Sequence, residues 1–112
     1  HLLRGEPMLV PDVGEVTAAL DAPRLLLMVG RNGCVRCSDL ALAASTWSNA
    51  NRRCVLVHLD DAAGVEAMES HPFLAHLDVL PVVVPFLDGA PLEVVYGHTT
   101  ETLDRAWSLM EG

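Results

Sequence analysis

The chain has 112 residues, of which 51% are hydrophobic, so it can bury the core of one domain. Its net charge of −8 argues against nucleic acid and anionic membranes as partners. No apolar run approaches the roughly 20 residues that span a bilayer, and no signal-peptide pattern is present. We therefore expect a cytoplasmic, single-domain protein over 1–112. Because the chain starts at His1, residues 1–7 are interpreted as a flexible or added N-terminal segment.

Strand and helix patterns alternate along the chain. The predicted elements, in chain order, are a strand at 7–10, a helix at 12–22, a strand at 25–29, a helix at 34–47, a strand at 54–59, a helix at 62–70, a helical turn at 73–77, strands at 81–87 and 92–96, and a helix capped by Thr99 or Thr100. This β-α-β-α-β-α-β-β-α order predicts an α/β fold of three layers, with a mixed central sheet between helices.

Local patterns set several of these boundaries. Asp12 and Glu15 have the spacing of a capping box, so we expect the first helix to begin at Asp12 and to bury Val13. Asp88-Gly89 is typical of a hairpin turn. Pro85 lies inside a strand pattern and indicates an edge strand or a bulge, because proline cannot donate to a strand ladder.

The most informative motif is the cysteine pair Cys34 and Cys37, just after the second strand. The motif opens a helix, so Cys34 would lie at the positive end of that helix, where a thiolate is stabilised. Cys37, one turn later, is placed to form a disulfide with Cys34 or to resolve a mixed disulfide. In an alternating β/α pattern this spacing indicates redox chemistry. The alternative is a pair of small buried hydrophobic residues.

These features together resemble the thioredoxin family, from about Met8 to Met110. The resemblance rests on the sequence Cys34-Val35-Arg36-Cys37, on Leu80-Pro81 at the start of the fourth strand, and on Asp88-Gly89 with Gly97 after the fifth. It implies a thioredoxin-like three-layer sandwich in which Pro81 is cis and packs beside the thiols. It also implies that Gly97 borders the same surface.

Four positions depart from the family's usual pattern. Gly33 stands where the family has tryptophan, and Val35-Arg36 stands where thioredoxin itself has Gly-Pro. Met28 stands where the family has a buried acid that assists proton transfer from the second thiol. The sequence is therefore similar to that of a divergent thioredoxin-like protein.

The resemblance also implies roles for the residues around the motif. Cys34 would be the nucleophile and Cys37 the resolving thiol. Arg31 and Arg36 would favour the Cys34 thiolate, and with no acid at Met28 we expect a couple more oxidising than that of thioredoxin. The residues expected to contact substrate are Gly33, Val35, Arg36, Leu80, Pro81, Gly97 and His98. For His98, a solvated loop residue is the open alternative.

The third predicted strand carries two further candidates, Cys54 and His58. A six-residue strand spans roughly 20 Å, so Cys54 at its start should be too far from Cys34 for a disulfide and is interpreted as a core or semi-exposed thiol. His58 is interpreted as a core histidine. A structural zinc site commonly uses two close ligand pairs, and only one pair exists here, so no metal site is predicted.

The first functional hypothesis is a dithiol–disulfide oxidoreductase that acts on protein disulfides and needs no metal or organic cofactor. Its partners would be disulfide-containing proteins and a reductase or another dithiol protein as electron donor, and it would act as a monomer. One alternative is a redox-inactive thioredoxin-like binding or assembly module that uses the groove at Leu80-Pro81. The other is a glutathione-using, glutaredoxin-like electron donor.

Overall fold

The computed structural model describes residues 8–111, and the predictions made for residues 1–7 lie outside this range. The strands are β1 (Met8–Leu9), β2 (Arg24–Gly30), β3 (Cys54–His58), β4 (Val82–Leu87), β5 (Ala90–Pro91) and β6 (Val95–Tyr96). The helices are α1 (Val16–Leu20), α2 (Val35–Trp47), α3 (Ala62–Ser70) and α4 (Thr100–Glu111), with a 3₁₀ turn at Pro72–His76. Within 8–111, none of the helices combines the length and apolarity that crossing a membrane requires.

One mixed sheet runs through the molecule in the order β1-β3-β2-β4-β5, and β6 also pairs with β4. Strands β1 and β2 are parallel to β3, whereas β4 is antiparallel to β2, and β5 and β6 are antiparallel to β4. The predicted mixed sheet between helical layers is confirmed. Because β2 and β3 are parallel, their carboxyl ends meet at one edge of the sheet, and the antiparallel β4 begins at that edge.

Alternate residues of β2 contribute to two separate cores. Leu25, Leu27 and Val29 pack with residues of α1 and α3. Leu26 and Met28 point to the opposite face, where they pack with residues of α2 and α4. All five are buried, as an uninterrupted apolar run predicts for a strand covered on both faces. The strand that leads into the cysteine motif is therefore held from both sides.

The first helix begins later than the sequence predicts. The Asp12 N–H donates to Glu15 Oε1 at 2.8 Å, as a capping box requires, but α1 starts only at Val16. Gly14 has a φ of +91°, which is outside the helical region, so the helix cannot extend from Val16 back to Asp12. Val13 is 63% exposed, so its predicted place on the buried face is wrong.

Of the predicted returning strand at 92–96, only Val95–Tyr96 is a strand, because the return begins earlier, at β5, and a bulge opposite Pro85 separates β5 from β6. Phe86 pairs with Pro91 and Val83 pairs with Val95, so residues 84–85 of β4 face residues 92–94. The Pro85 carbonyl accepts a bond of 2.9 Å from the N–H of Leu92. Strand β4 has neighbours on both sides, so the bulge reading of Pro85 is right and the edge-strand reading is wrong.

Helix α3 approaches the carboxyl end of β3 more closely than a side chain would permit. A Cβ on Gly64 would overlap the carbonyl group of His58 and would lie 2.6 Å from Leu59 Cα. Backbone packs on backbone here, so α3 fixes the position of the end of β3.

Replacing Gly64 by alanine should therefore destabilise the protein. We expect Gly64→Ala to lower the free energy of unfolding by about 1–3 kcal/mol, because the added methyl group must push α3 away from the strand. The matched control is Val65→Ala at the next, exposed helical position, for which a change within about 0.5 kcal/mol is expected. Urea unfolding measures both, and equal values for the two variants would contradict this packing.

Candidate functional site

Cys34 and Cys37 form a disulfide at the first turn of α2, with their Cα atoms 5.2 Å apart. Cys34 is the N-cap residue in an extended conformation, and its Sγ accepts the N–H of Cys37 at 3.1 Å. Cys34 is half-buried, whereas Cys37 is only 3% exposed. A partner can therefore reach the first sulfur much more readily than the second.

The loop of residues 31–33 between β2 and the motif is held by two carboxylates from the end of β3. The N–H of Asn32 donates to both oxygens of Asp60 at 3.1 and 3.3 Å, and its side-chain amide donates to Asp61 Oδ1 at 2.8 Å. Gly33 follows with a φ of +72°, a left-handed conformation that tryptophan would rarely adopt. The replacement of the family's tryptophan thus has a backbone reason in this chain.

Gly30, the last residue of β2, provides the space in which Cys37 packs. A Cβ on Gly30 would lie 3.0 Å from both Cβ and Sγ of Cys37, and 3.5 Å from His58 Cδ2. His58 is paired with Gly30 across the sheet, and its side chain is 26% exposed with Nδ1 3.6 Å from Asp61 Oδ2. The interpretation of His58 as a core histidine is therefore wrong, since its ring lies at the edge of the sheet beside the second cysteine.

The segment before β4 lies at the same edge. The Leu80–Pro81 peptide bond is cis, as the family resemblance implies. Val82 pairs with Val29, so continuing that register places Pro81 opposite Gly30, next to the cysteine pair. Two large apolar side chains are exposed in these segments, Val35 at 77% and Val79 at 56%.

The Gly97–His98 loop is attached to the start of α4 and to α2. Gly97 has a φ of +143°, and a Cβ there would overlap Thr102 Oγ1, so α4 packs directly on this glycine. His98 Nδ1 lies 3.9 Å from Asp39 Oδ2 of α2. This contact joins the loop to the helix that carries the cysteines.

Two exposed arginines and one buried methionine bear on the charge around the cysteine pair. Arg31 and Arg36 are both exposed near the motif. Met28 is fully buried on the α2 face of the sheet, two residues before Gly30, so no carboxylate occupies that position. Within 8–111, no three His, Cys, Asp or Glu side chains are grouped as a metal ion would require.

Cys54 is a free, fully buried thiol at the opposite end of β3. Cys54 pairs with Leu26, whereas His58, four residues later, pairs with Gly30 at the site. Four residues of strand place Cys54 roughly 13 Å from the site. Burial raises the pKa of Cys54 to about 12, against a smaller lowering effect of Arg52. Of the two interpretations left open by the sequence, a core thiol is the one that the structure supports.

Several solved structures with the same chain path are thioredoxins. The thioredoxin of Malassezia sympodialis superposes with a TM-score of 0.72 at 14% identity, over 100% of this chain and 97% of that one. The chain has the thioredoxin fold. Thioredoxin f from spinach chloroplast superposes with a TM-score of 0.68 at 12% sequence identity, over 100% of both chains. A mutant thioredoxin from Halobacterium salinarum superposes with a TM-score of 0.66 at 23% sequence identity, over 95% of this chain and 88% of that one.

The sequence itself gives no comparable match. It matches no protein-family model, and no curated protein matches it. The relation to thioredoxins is therefore one of fold, and the function is argued from the site.

Two parts of the site were missed by sequence reasoning, the His58 ring beside Cys37 and the bonds from Asn32 to Asp60 and Asp61. The sequence did contain a pattern from which both could have been predicted. Parallel strands end at the same edge, so His58 and the two aspartates, which follow β3, had to lie beside the residues that follow β2.

The bonds from Asn32 make the stability dependent on pH. The N–H bond from Asn32 holds the pKa of Asp60 below its ordinary value of 3.8. This carboxylate therefore stabilises the folded state above about pH 3.8, and the contribution is lost as the pH falls through the lower folded value. We expect Asp60→Asn to be less stable than wild type at pH 7, and the difference to shrink when the pH is lowered from 3.8 to about 2. Exposed Asp78→Asn is the control, and a difference of equal size at both pH values would contradict the account.

The raised pKa of Cys54 predicts that this thiol is inert in the native protein. In the reduced protein at pH 8, iodoacetamide should modify Cys34 first and leave Cys54 unmodified until the protein is unfolded in urea, because only thiolates react. Mass spectrometry of the intact protein and its peptides measures the order. Labelling of native Cys54 at a rate close to that of Cys34 would contradict its burial.

Proposed function

We propose that the protein is a dithiol–disulfide oxidoreductase that acts on protein disulfides. The observation that carries this proposal is the unequal burial of a closed Cys34–Cys37 disulfide at the first turn of a helix. The accessible sulfur lies at the N-terminus of α2, where the free N–H groups and the helix dipole favour a thiolate. The shielded sulfur is within bonding distance of the first and can act only after a partner has attached there.

The reaction follows from this arrangement. In the reduced protein, the Cys34 thiolate attacks one sulfur of a substrate disulfide, and the other substrate sulfur leaves as a thiolate that takes up a proton. Cys37 then loses its proton and attacks Cys34 Sγ, which breaks the mixed disulfide and releases the second substrate thiol. The substrate disulfide gains two electrons, and the protein loses two as its own disulfide forms.

The surface around Cys34 supports a peptide as the substrate. Val35 and Val79 expose apolar side chains, and the cis Leu80–Pro81 peptide adjoins the pair through the register of β4 with β2. Backbone groups at such a position can pair with an extended segment of a partner. Substrate contacts by Gly33, Arg36, Gly97 and His98 belong to the same proposal.

Turnover requires that the disulfide be reduced again. The electron donor would be a reductase or another dithiol protein. A cytoplasmic location, predicted from the sequence, fits this requirement because that compartment keeps thiols reduced.

A binding or assembly module is the second candidate, and Met28 is the observation that favours it. An apolar side chain at that position provides no carboxylate to receive the proton of Cys37. The two candidates differ in what they require of Cys34, since only the oxidoreductase needs its sulfur.

Reduction of insulin disulfides by dithiothreitol, followed as turbidity, tests the proposal. Wild type should accelerate the reaction, and Cys34→Ser should fall to the rate without protein, because the attacking sulfur is gone. Cys37→Ser should accumulate a mixed disulfide with the substrate, visible by mass spectrometry.

The control is Cys54→Ala, whose buried thiol takes no part and whose activity per folded molecule should equal that of wild type. Partner binding that persists in Cys34→Ser while wild type fails to reduce insulin would support the binding module instead. Turnover that depends on glutathione would support a glutaredoxin-like activity.

A further inference from the structure

His58 and Cys37 share the space beside Gly30, at the carboxyl ends of β3 and β2. Residues two apart along a strand point to the same face of the sheet. Leu56 and Cys54 of β3 point to the α2 face, so His58 does as well. Gly64 packs on the His58 carbonyl from the α3 side and fixes the strand end. The ring therefore lies on the same face as the helix that carries Cys37.

The Cys37 sulfur and the His58 ring are close neighbours, because both approach the same face of Gly30. The position of a Cβ on Gly30 is 3.0 Å from Cys37 Sγ and 3.5 Å from His58 Cδ2. Cys37 Sγ and His58 Cδ2 can thus be no farther apart than the sum of those distances, about 6.5 Å, which leaves room for one water molecule between the thiol and the ring. Cδ2 is bonded to Nε2, whereas Nδ1 faces Asp61. Nε2 is therefore the ring nitrogen adjacent to the carbon that lies near Cys37, and the ring is partly exposed, so that water can reach it.

We propose that His58 accepts the proton of the Cys37 thiol through one water when Cys37 resolves the mixed disulfide. The inference rests on the proposed oxidoreductase function and names a proton acceptor for its second step. It also accounts for Met28, because a base beside the sulfur makes a carboxylate beneath the sheet unnecessary.

The charges that face His58 favour its role. Asp61 Oδ2 lies 3.6 Å from Nδ1. The pKa of Asp60 is lowered mainly by the hydrogen bond from Asn32, and a charged His58 adds the smallest contribution. The carboxylate of Asp61 is thus placed beside the ring that receives the proton. On the α2 side, the titratable group directed at this space is Cys37 itself. Histidine is the side chain whose charge changes near neutral pH, so it can both take and return a proton there.

The step balances in atoms and charge. The Cys37 S–H bond breaks, its proton passes to water, and a water proton passes to Nε2. The Cys37 thiolate forms the Cys34–Cys37 bond while the bond from Cys34 to the substrate sulfur breaks. The substrate thiolate leaves and takes the proton of the imidazolium, directly or through water, which returns His58 to its neutral form.

Stopped-flow reaction of the reduced protein with excess 5,5′-dithiobis(2-nitrobenzoate) separates the two steps. The first nitrothiobenzoate is released when Cys34 attacks, and the second is released when Cys37 displaces it from Cys34. His58→Gln should slow the second phase about 100-fold at pH 7, because general-base help is removed, and should leave the first phase unchanged. At about pH 9.5, where a thiol ionises without help, the second phase should match that of wild type.

The control is His76→Gln, an exposed histidine of the 3₁₀ turn, which should leave both phases as in wild type. Equal second phases in wild type and His58→Gln at pH 7, or an equal slowing at all pH values, would overturn the inference and leave the proposed function standing. Release of only one nitrothiobenzoate by wild type would overturn the proposed function itself.

The wild-type pH profile tests whether His58 accepts the proton, even if His58→Gln does not fold. With His58 as acceptor, the rate of the second phase should level off above neutral pH, when the imidazole is already neutral. A tenfold rise for each pH unit up to the ordinary range of thiol ionisation would mean unassisted attack and would overturn the inference.

Discussion

The missing side chain at Gly30 is the constraint on which the site depends. A Cβ there would lie 3.0 Å from the sulfur of Cys37, closer than side chains ordinarily pack, so the glycine lets the first turn of α2 pack tightly on the end of β2. That packing buries Cys37 while Cys34 stays accessible at the N-cap. It also leaves the ring of His58 beside the same sulfur. The chemistry requires that one cysteine be accessible and the other buried, and the packing of α2 on the end of β2 produces this difference.

Much of this could be predicted because the patterns involved are local. The apolar run 25–29 and the Cys34-Val35-Arg36-Cys37 motif each depend on residues that are neighbours in the chain. The start of α1 was predicted too early because the positive φ of Gly14 cannot be inferred from the four-residue capping box Asp12 to Glu15. The split of the returning strand was hidden for a different reason. A bulge depends on how residues 92–94 fit against Pro85 across the sheet, and no local pattern in residues 92–94 indicates it.

The departures from the thioredoxin pattern become coherent when they are taken together. Gly33 adopts a backbone conformation that suits glycine, and Asn32 before it is tied to the two aspartates that follow β3. Those aspartates also flank His58. A single group of residues at the ends of β2 and β3 therefore positions the loop before Cys34 and surrounds the proposed base with negative charge. Met28, in the apolar core below, is compatible with that arrangement.

The measurement that tests the account most directly is a redox titration of the three cysteines, by mass-resolved thiol labelling across a dithiothreitol series. The account predicts one reversible two-electron transition confined to Cys34 and Cys37, with Cys54 reduced throughout. Its midpoint is expected above the value of about −270 mV for thioredoxin. Absence of a Cys34–Cys37 disulfide at every potential, or a disulfide that includes Cys54, would contradict the account.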